Sequence, residues 1–390
     1  MSFELPVLEN RPQKRKPPKP KKAIELADGD YELISAPGEF QEKDLVKAFE
    51  IHGFDKLNVV ATLESKDERK NNPDKRNQDN ILADPETGLM GVMDGLGGEQ
   101  AGDLASKSAE RFIPENYKQS LKEVSVLGDT TILKRIVEQQ ISNFRMARTS
   151  RPSARAVVEK ETKQMVEEAI KCDPEIAQKA LALLQAMRDT NEYVQETNGM
   201  TTACVGLVHE AKDGSRWAII ANVGDSAALK RNKDGDVIQL TQEDSFIEYV
   251  KTVSKKKVMN NKGEVVPLLE AMKKTPRKKF DVFPTFGKIN YLQLKATVKI
   301  CLGSREFEPS ITIQRVNPGD EIIFATDGVI DKYDDIKTDE TDLAALGKDT
   351  APGATLVERI NNLRRAAKKR SVIYKNDDDV AIVAARILER

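Results

Sequence analysis

Four aspartate residues, each at one edge of a short apolar run with the character of a buried strand, constrain this chain most. They lie far apart in the sequence: Asp94, Asp225, Asp327 and Asp378. Burying a strand end that carries a carboxylate is costly unless a cation compensates its charge. The pattern therefore predicts one shared acidic pocket that holds hard divalent cations, and a metal-assisted hydrolase is the first hypothesis.

The composition narrows the class of protein. The chain has 390 residues, of which 39% are hydrophobic, and this is enough for a sizeable core. No apolar run is long enough to span a membrane, and the N-terminus lacks the apolar centre of an export signal. Three widely spaced cysteines predict neither a disulfide framework nor a zinc knuckle, so we expect a reducing, cytoplasmic setting.

Histidine is scarce, which argues against two kinds of catalytic site. The chain has only His52 and His209, too few for a His-rich zinc site or a Ser/His/Asp triad. We interpret both as structural or solvated residues, with His209 at the surface of a hairpin.

The charge balance gives no reason to expect nucleic acid as a partner, because 62 basic residues nearly cancel 63 acidic ones. Basic residues do concentrate in the first 30 residues, which we predict to be a Pro-rich disordered tail. The composition favours a solvated leader, and the alternative is an electrostatic tether to an acidic partner.

The periodicity of the remaining chain predicts an α+β layered fold with antiparallel sheets, in one domain over residues 31–390. A helical stretch is expected over residues 115–195, with breaks at Pro152 and at Cys172–Pro174. The Lys-rich segment 243–300 is less regular and is interpreted as a flap-like insertion. Strand-like runs occupy residues 57–64, 80–94, 201–210, 216–225, 310–316, 321–326 and 380–387.

The segment Asp94-Gly-Leu-Gly-Gly carries the clearest chemistry. A carboxylate followed by a glycine, whose carbonyl group can turn toward a ligand, is an all-oxygen motif suited to Mg²⁺ or Mn²⁺. A dinucleotide-binding loop does not fit, since the sixth position counted from Gly95 is Gln100 and Asp94 would face a pyrophosphate. Taken alone, the segment is also compatible with an ordinary Asp-Gly turn.

Further short segments give the pattern its specificity through their order. They are Arg76-Asn-Gln-Asp-Asn80, Gly199-Met-Thr-Thr-Ala203, Asn222-Val-Gly-Asp-Ser226, residues 319–331 and Asn376-Asp-Asp-Asp379. Together with the Asp94 segment they resemble the metal-dependent protein phosphatases of the type 2C (PPM) family, in their bacterial form. The resemblance runs from about Leu57 to Ile387.

The resemblance implies a four-layer α-β-β-α sandwich with two central antiparallel sheets and a binuclear Mg²⁺/Mn²⁺ site at one end. It implies that Asp94 bridges two metal ions and that the carbonyl of Gly95 binds one of them. Asp327 and Asp378 would complete the shell of the other ion, with Asp377 as the alternative to Asp378.

Other site residues are also implied by the resemblance. Asp79 would hold a metal ion directly or through a water, and Asp225 with Asp327 would hold a third, looser ion. Arg76 would bind the phosphate, with Lys75 as the alternative, because Asp74 occupies the position where the family's arginine is expected. The implied catalytic residues are therefore Arg76, Asp79 and Asp94.

The expected mechanism needs no protein nucleophile, because two cations flanking a water lower its pKa enough for in-line attack on phosphorus. Two further positions depart from the family pattern. Leu96 stands where many eukaryotic members have a general-acid histidine, and Ala227 stands where the Gly-Asp-Ser-Arg motif has arginine.

The resulting hypothesis is a phosphoserine/phosphothreonine protein phosphatase, a cytoplasmic monomer whose substrate is a phosphorylated protein. One alternative is a catalytically impaired pseudophosphatase that acts as a binding module. Another is a phosphoesterase for small molecules. The Lys-rich segment 243–300 either recruits an acidic phosphopeptide or is a solvated loop.

Overall fold

The structure is a computed structural model. It describes residues 31–33, 46–65, 77–96, 99–124, 152–241, 257–259, 265–274, 279–283, 287–289, 301–305, 307–335, 340–341, 343–350, 355–374 and 378–389. The basic tail, Lys75, Arg76 and Asp377 lie outside these residues, so what was expected of them stays a prediction.

Two antiparallel sheets form the centre of the molecule. The first sheet is seven-stranded, in the spatial order β1 (Tyr31–Leu33), β2 (Val46–Ile51), β3 (Leu57–Glu64), β19 (Val380–Ile387), β16 (Glu321–Ala325), β9 (Ala227–Arg231) and β10 (Val237–Gln239). The second has the order β15 (Ser310–Val316), β8 (Arg216–Val223), β7 (Ala203–Glu210), β5 (Leu89–Leu96) and β4 (Asp79–Asp84), and the short β6 (Met200–Thr201) pairs with the end of β5. The last strand of the chain, β19, thus lies between β3 and β16.

Most of the helices pack on the outer faces of the sheets. The described ones are α1 (Glu99–Glu123), α2 (Pro152–Cys172), α3 (Glu175–Gln195), α4 (Leu268–Lys274), α5 (Asp327–Ile330), α6 (Leu343–Asp349) and α7 (Leu356–Tyr374), with a 3₁₀ turn at Asp331–Tyr333. None of them combines the length and apolar character that crossing a bilayer requires.

Three apolar clusters show that the architecture has four layers. One lies between the sheets, where Val92 of β5 and Phe324 of β16 belong to the same cluster. The second joins the outer face of the β5 sheet to α1 and α3, and the third joins the outer face of the β16 sheet to α6 and α7. The predicted α+β sandwich with two central antiparallel sheets is therefore confirmed.

The described parts of the Lys-rich segment 243–300 are more regular than expected. They contain two hairpins, formed by β11 (Lys257–Met259) with β12 (Val265–Pro267) and by β13 (Phe280–Phe283) with β14 (Gly287–Ile289), and also α4. A third small hairpin pairs β17 (Asp334–Asp335) with β18 (Glu340–Thr341). Short runs such as Val265-Val-Pro are too brief to give a clear periodic signal in sequence.

Buried ion pairs connect α7 to the first sheet. Glu321, at the start of β16, is fully buried and pairs with Arg359 of α7 and with Arg386 of β19, whose Nη2 lies 2.7 Å from its Oε1. Arg231 of β9 approaches the same carboxylate at 3.6 Å. This cluster fixes the helix and three neighbouring strands relative to one another. It lies at the end of β16 that is opposite to Asp327.

Candidate metal centre

Three of the four aspartates that opened the sequence analysis meet at one point. Carboxylate oxygens of Asp94, Asp225 and Asp327 all lie within 4.8 Å of one another. They come from the end of β5, the loop after β8 and the start of α5, so both sheets contribute. Asp225 is 7% exposed, whereas Asp94 and Asp327 are half-buried, which leaves the cluster open on one side.

Asp79 and Asp378 belong to the same acidic group. Asp79 stands directly opposite Asp94 in the β4–β5 pairing. Asp378 lies close enough to three of these carboxyl groups for its negative charge to raise their pKa values. They are those of Asp79, Asp94 and Asp327. All five aspartates expected to hold metal ions are therefore brought together.

The pKa values of this group show how unfavourable it is without a cation. Burial is the largest cause that raises the pKa of Asp94 well above its ordinary value, and the charge of Asp327 is the next. The same two kinds of cause, burial first and then the charge of Asp378, raise the pKa of Asp327. A hard divalent cation would offset both the cost of burial and the mutual repulsion, and a set of carboxylate oxygens is the donor set that Mg²⁺ and Mn²⁺ prefer.

The backbone of Asp94 is clamped by neighbouring hydroxyl and amide groups. The Asp94 N–H donates to Oγ1 of Thr202 at 3.0 Å, and the Asp94 carbonyl oxygen accepts from Oγ1 of Thr201 at 2.8 Å and from the Thr202 N–H at 2.8 Å. Thr202 Oγ1 is in turn 2.7 Å from Oγ of the buried Ser226, next to Asp225. These contacts fix the backbone at the end of the strand, and a fixed backbone restricts the positions that the Asp94 carboxylate can take.

Thr326 plays the corresponding part for Asp79. Its hydroxyl donates to Oδ2 of Asp79 at 2.8 Å and accepts the N–H of Ala381 at 3.0 Å. Thr326 directly precedes Asp327 and is fully buried. One side chain thus joins the end of β16 to β4 and β19, the strands that bring Asp79 and Asp378 into place.

Glycines permit two close backbone contacts at the site. A Cβ on Gly328 would lie 1.8 Å from the carbonyl oxygen of Asp379, so α5 and β19 could not approach this closely with any other residue. A Cβ on Gly95 would lie 2.2 Å from the carbonyl oxygen of Gly102 in α1. Gly95 is therefore held at the site, and its role as a carbonyl ligand stays a prediction.

Two acidic residues near the centre were not among the expected ligands. Asp379 is buried, its Oδ2 accepts the N–H of Gln78 at 3.1 Å, and its charge is the largest of the neighbouring charges that raise the pKa of Asp79. Asp331 raises the pKa of Asp327 through its charge. The sequence did contain a signal for Asp331, since it follows Asp327 by four residues, and a run of three aspartates contains Asp379.

His209 corrects the sequence interpretation, because it is buried rather than at a hairpin surface. Its Nε2 lies 3.1 Å from Oδ2 of Asp173, and Nζ of Lys179 lies 2.7 Å from its Nδ1. Burial and the charge of Lys179 lower the pKa of His209, so the neutral ring donates through Nε2 and accepts through Nδ1. Asp173 also caps α3 by accepting the Glu175 N–H, and the group therefore ties α3 to β7.

A sequence profile of the family described as protein phosphatase 2C matches residues 69–364. This chain belongs to the protein phosphatase 2C family. Membership confirms the resemblance found in the motifs and assigns the chain to the protein-serine/threonine phosphatases. Together with the acidic cluster, it confirms the prediction of a Mg²⁺ or Mn²⁺ cofactor.

Solved structures of bacterial phosphatases are similar at low identity. PppA of Pseudomonas aeruginosa is 15% identical with a TM-score of 0.46, and 85% of this chain and 98% of that chain are covered. PstP/Ppp of Mycobacterium tuberculosis is 18% identical with a TM-score of 0.48, at 85% and 99% coverage. The PstP catalytic domain with two manganese ions is 16% identical with a TM-score of 0.46, again at 85% and 99%. A search of curated protein sequences gives no match.

Proposed function

We propose that this protein is a metal-dependent phosphoserine/phosphothreonine protein phosphatase that acts on phosphorylated proteins in the cytoplasm, as a monomer. The observation that carries the proposal is the meeting of Asp94, Asp225 and Asp327 within 4.8 Å, from segments more than 100 residues apart. A group of mutually repelling, partly buried carboxylates has no stabilising role of its own, and a cation-binding role explains its presence.

The donor set supports two principal metal ions and a looser third. Asp94 lies centrally, since it pairs with Asp79 on one side and shares the 4.8 Å cluster with Asp225 and Asp327 on the other. In this position Asp94 would help to hold both principal ions, and the Gly95 carbonyl would help to hold one of them. Asp327 and Asp378 would then hold the second ion, and Asp225 with Asp327 the third. Asp79 would contribute directly or through a water.

The chemistry divides between the ions and the side chains. When bound, two divalent ions lower the pKa of a water enough for attack on phosphorus near neutral pH and compensate charge on the phosphoryl oxygens. Asp79 and Asp94 hold their positions through the Thr326 and Thr202 contacts, so the ligand oxygens need little reorganisation. Arg76 binds the phosphate group in this proposal. Leu96 has no proton to give, and the leaving oxygen therefore takes its proton from solvent.

The test is hydrolysis of p-nitrophenyl phosphate and of a phosphothreonine peptide with and without Mn²⁺. We expect activity that requires Mn²⁺ and that falls by at least about a thousandfold in Asp94→Ala. Asp234→Asn, a change in an exposed turn, is the matched control and should keep full activity. Hydrolysis that ignores both Mn²⁺ and the Asp94 substitution would overturn the proposal.

Two alternatives make different predictions in the same assay. A binding module without catalysis would bind the phosphopeptide but show no heat on titration with Mn²⁺, and the complete set of aspartates argues against it. A small-molecule phosphoesterase would hydrolyse p-nitrophenyl phosphate with a much higher kcat/KM than any phosphopeptide. The basic tail and the segment 243–300 remain candidates for recruiting an acidic partner.

A further inference from the structure

Exposed apolar side chains lie beside the metal centre. Among the described residues, the large apolar side chains with the greatest exposure are Leu104 (51%), Met200 (40%), Val265 (65%) and Leu388 (40%). Single exposed side chains need no explanation, but neighbouring ones do. Leu104 lies on α1 and Met200 on β6, and these two elements contact each other. Both elements adjoin the strand end that carries Asp94.

The first link is the pairing between β5 and β6. Leu96 follows Asp94 by two residues on β5, and alternate side chains of a strand share a face. Leu96 is half-buried and stands directly opposite Met200. Side chains at directly opposed positions have Cβ atoms about 4.5–5.5 Å apart, so Leu96 and Met200 form a continuous apolar surface next to the carboxylate cluster.

The second link is the contact between α1 and the residue that precedes β6. A Cβ on Gly199 would lie 2.0 Å from the carbonyl oxygen of Ala101, so the first turn of α1 lies against Gly199. Leu104 is one turn further along α1, and helical side chains lean back toward the N-terminus of their helix. Leu104 therefore lies close to the Ala101–Gly199 contact, and Met200 directly follows Gly199 in the chain.

We propose that Leu96, Leu104 and Met200 form an apolar subsite that binds an apolar side chain close to the phosphoserine or phosphothreonine of the substrate protein. This inference rests on the proposed function, because it needs a phosphorylated polypeptide at the metal centre. The phosphate is recognised by charge alone and carries no sequence information. A chain that presents its phosphate at the aspartates must continue over the neighbouring surface, and that surface is apolar on the side of Leu96.

The size of the patch favours a substrate side chain over a second copy of this protein. Three partly exposed side chains offer far less than the roughly 1,000 Å² that a stable protein interface buries. They do suffice to cover one leucine-sized side chain, whose burial improves binding by about tenfold.

The experiment compares phosphothreonine peptides that carry either Leu or Asn at each of the three positions on either side of the phosphothreonine. The full chain with Mn²⁺ should prefer Leu by about tenfold in kcat/KM at one or more of these positions. In the double variant Leu104→Ser/Met200→Ser the preference should fall below about twofold. The ratio is taken within each variant, so a general loss of activity does not affect it. Leu388→Ser is the matched control, because Leu388 is equally exposed but lies beyond the far end of β19, and it should keep the preference.

The outcomes separate the subsite from the proposed activity. The subsite is overturned if the unmodified protein shows no Leu preference, or if the double variant shows the same preference. Mn²⁺-dependent hydrolysis of p-nitrophenyl phosphate would in that case still support the phosphatase. If that hydrolysis is absent, the phosphatase proposal fails, and peptide binding measured by fluorescence anisotropy then decides the Leu preference. A dimer that the double substitution dissociates would also overturn the subsite, since the patch would then join two copies.

Discussion

At the scale of single residues, the fold holds Asp79 and Asp94 through hydroxyl groups. Thr326, Thr202 and Ser226 contact Asp79, Asp94 or each other, and a neutral hydroxyl group brings no positive charge to a carboxylate. A lysine or arginine in the same places would compete with the metal ions for the carboxylate oxygens.

Replacing Thr326 by valine tests this role. The substitution preserves shape but removes the hydroxyl that donates to Asp79 and accepts the Ala381 N–H, and it leaves that buried N–H unpaired. We expect a loss of about 1–3 kcal/mol in the free energy of unfolding and weaker Mn²⁺ binding by calorimetric titration. Thr326→Ser keeps the hydroxyl and should restore the Mn²⁺ affinity, and a Thr326→Val protein with unchanged affinity would contradict the role.

The pH dependence of the free energy of unfolding measures how unfavourable the charged carboxylates are in the metal-free centre. Because the pKa values of Asp79, Asp94 and Asp327 are raised above 3.8, the folded protein binds protons more tightly than the unfolded chain does. These groups therefore lose their stabilising contribution as the pH rises above 3.8 toward neutrality. In EDTA, Asp94→Asn should unfold with a free energy larger by about 1 kcal/mol or more at pH 7.5, and the gain should shrink at pH 5. Urea titrations at the two pH values measure it, and a variant less stable than the unmodified protein at pH 7.5 would contradict the account.

At the scale of elements, the close crossing of α5 and β19 positions Asp327 against Asp378. Gly328→Ala would place a methyl group 1.8 Å from the Asp379 carbonyl oxygen and push the two elements apart. We expect Mn²⁺ affinity to fall by about tenfold or more, since ligand oxygens on both elements move. Gly206→Ala creates a similar clash, 2.6 Å from the Ile219 carbonyl oxygen, in the middle of the β5 sheet. It should reduce stability but not the Mn²⁺ affinity of the folded protein. Equal loss of affinity in both variants would argue against a specific effect at the centre.

The sequence predicted most elements because their periodicity is long and clear. The run Val380-Ala-Ile-Val-Ala reads as a buried strand, and β19 covers it. Its place between β3 and β16 could not be predicted, because antiparallel pairing depends on tertiary contacts between segments about 60 and 300 residues apart. The break between α2 and α3 lies where Asp173-Pro174 indicated it.

Only part of the candidate site could be predicted from the sequence. Asp94, Asp225 and Asp327 each follow a buried run, and such an unusual placement of charge is visible without a structure. The run Asp377-Asp-Asp379 favoured Asp378 but left Asp377 as the alternative, since neighbouring residues at a strand entrance alternate in direction. His209 was misjudged for a related reason. Its partners Asp173 and Lys179 lie on a distant segment, and nothing local indicates that they approach it.

At the scale of the whole molecule, the buried charge cluster at Glu321 holds the first sheet and α7 together. Glu321→Ala would leave the buried guanidinium group of Arg359 and the half-buried one of Arg386 without their shared carboxylate. We expect a loss of about 3–5 kcal/mol in the free energy of unfolding, measured by urea denaturation. The control is Glu168→Ala, which removes an exposed pair with Arg315 and should cost under about 1 kcal/mol. Similar losses in the two variants would contradict the importance assigned to the buried cluster.

The account as a whole depends on one physical claim, that aspartates scattered through the chain converge in order to share divalent ions. Anomalous diffraction from crystals grown in Mn²⁺ tests it most directly. The account predicts two neighbouring manganese peaks with the Asp94 carboxylate between them and with Asp327 and Asp378 on one of them. A map without manganese at these carboxylates, or with ions only at unrelated surface acids, would contradict it.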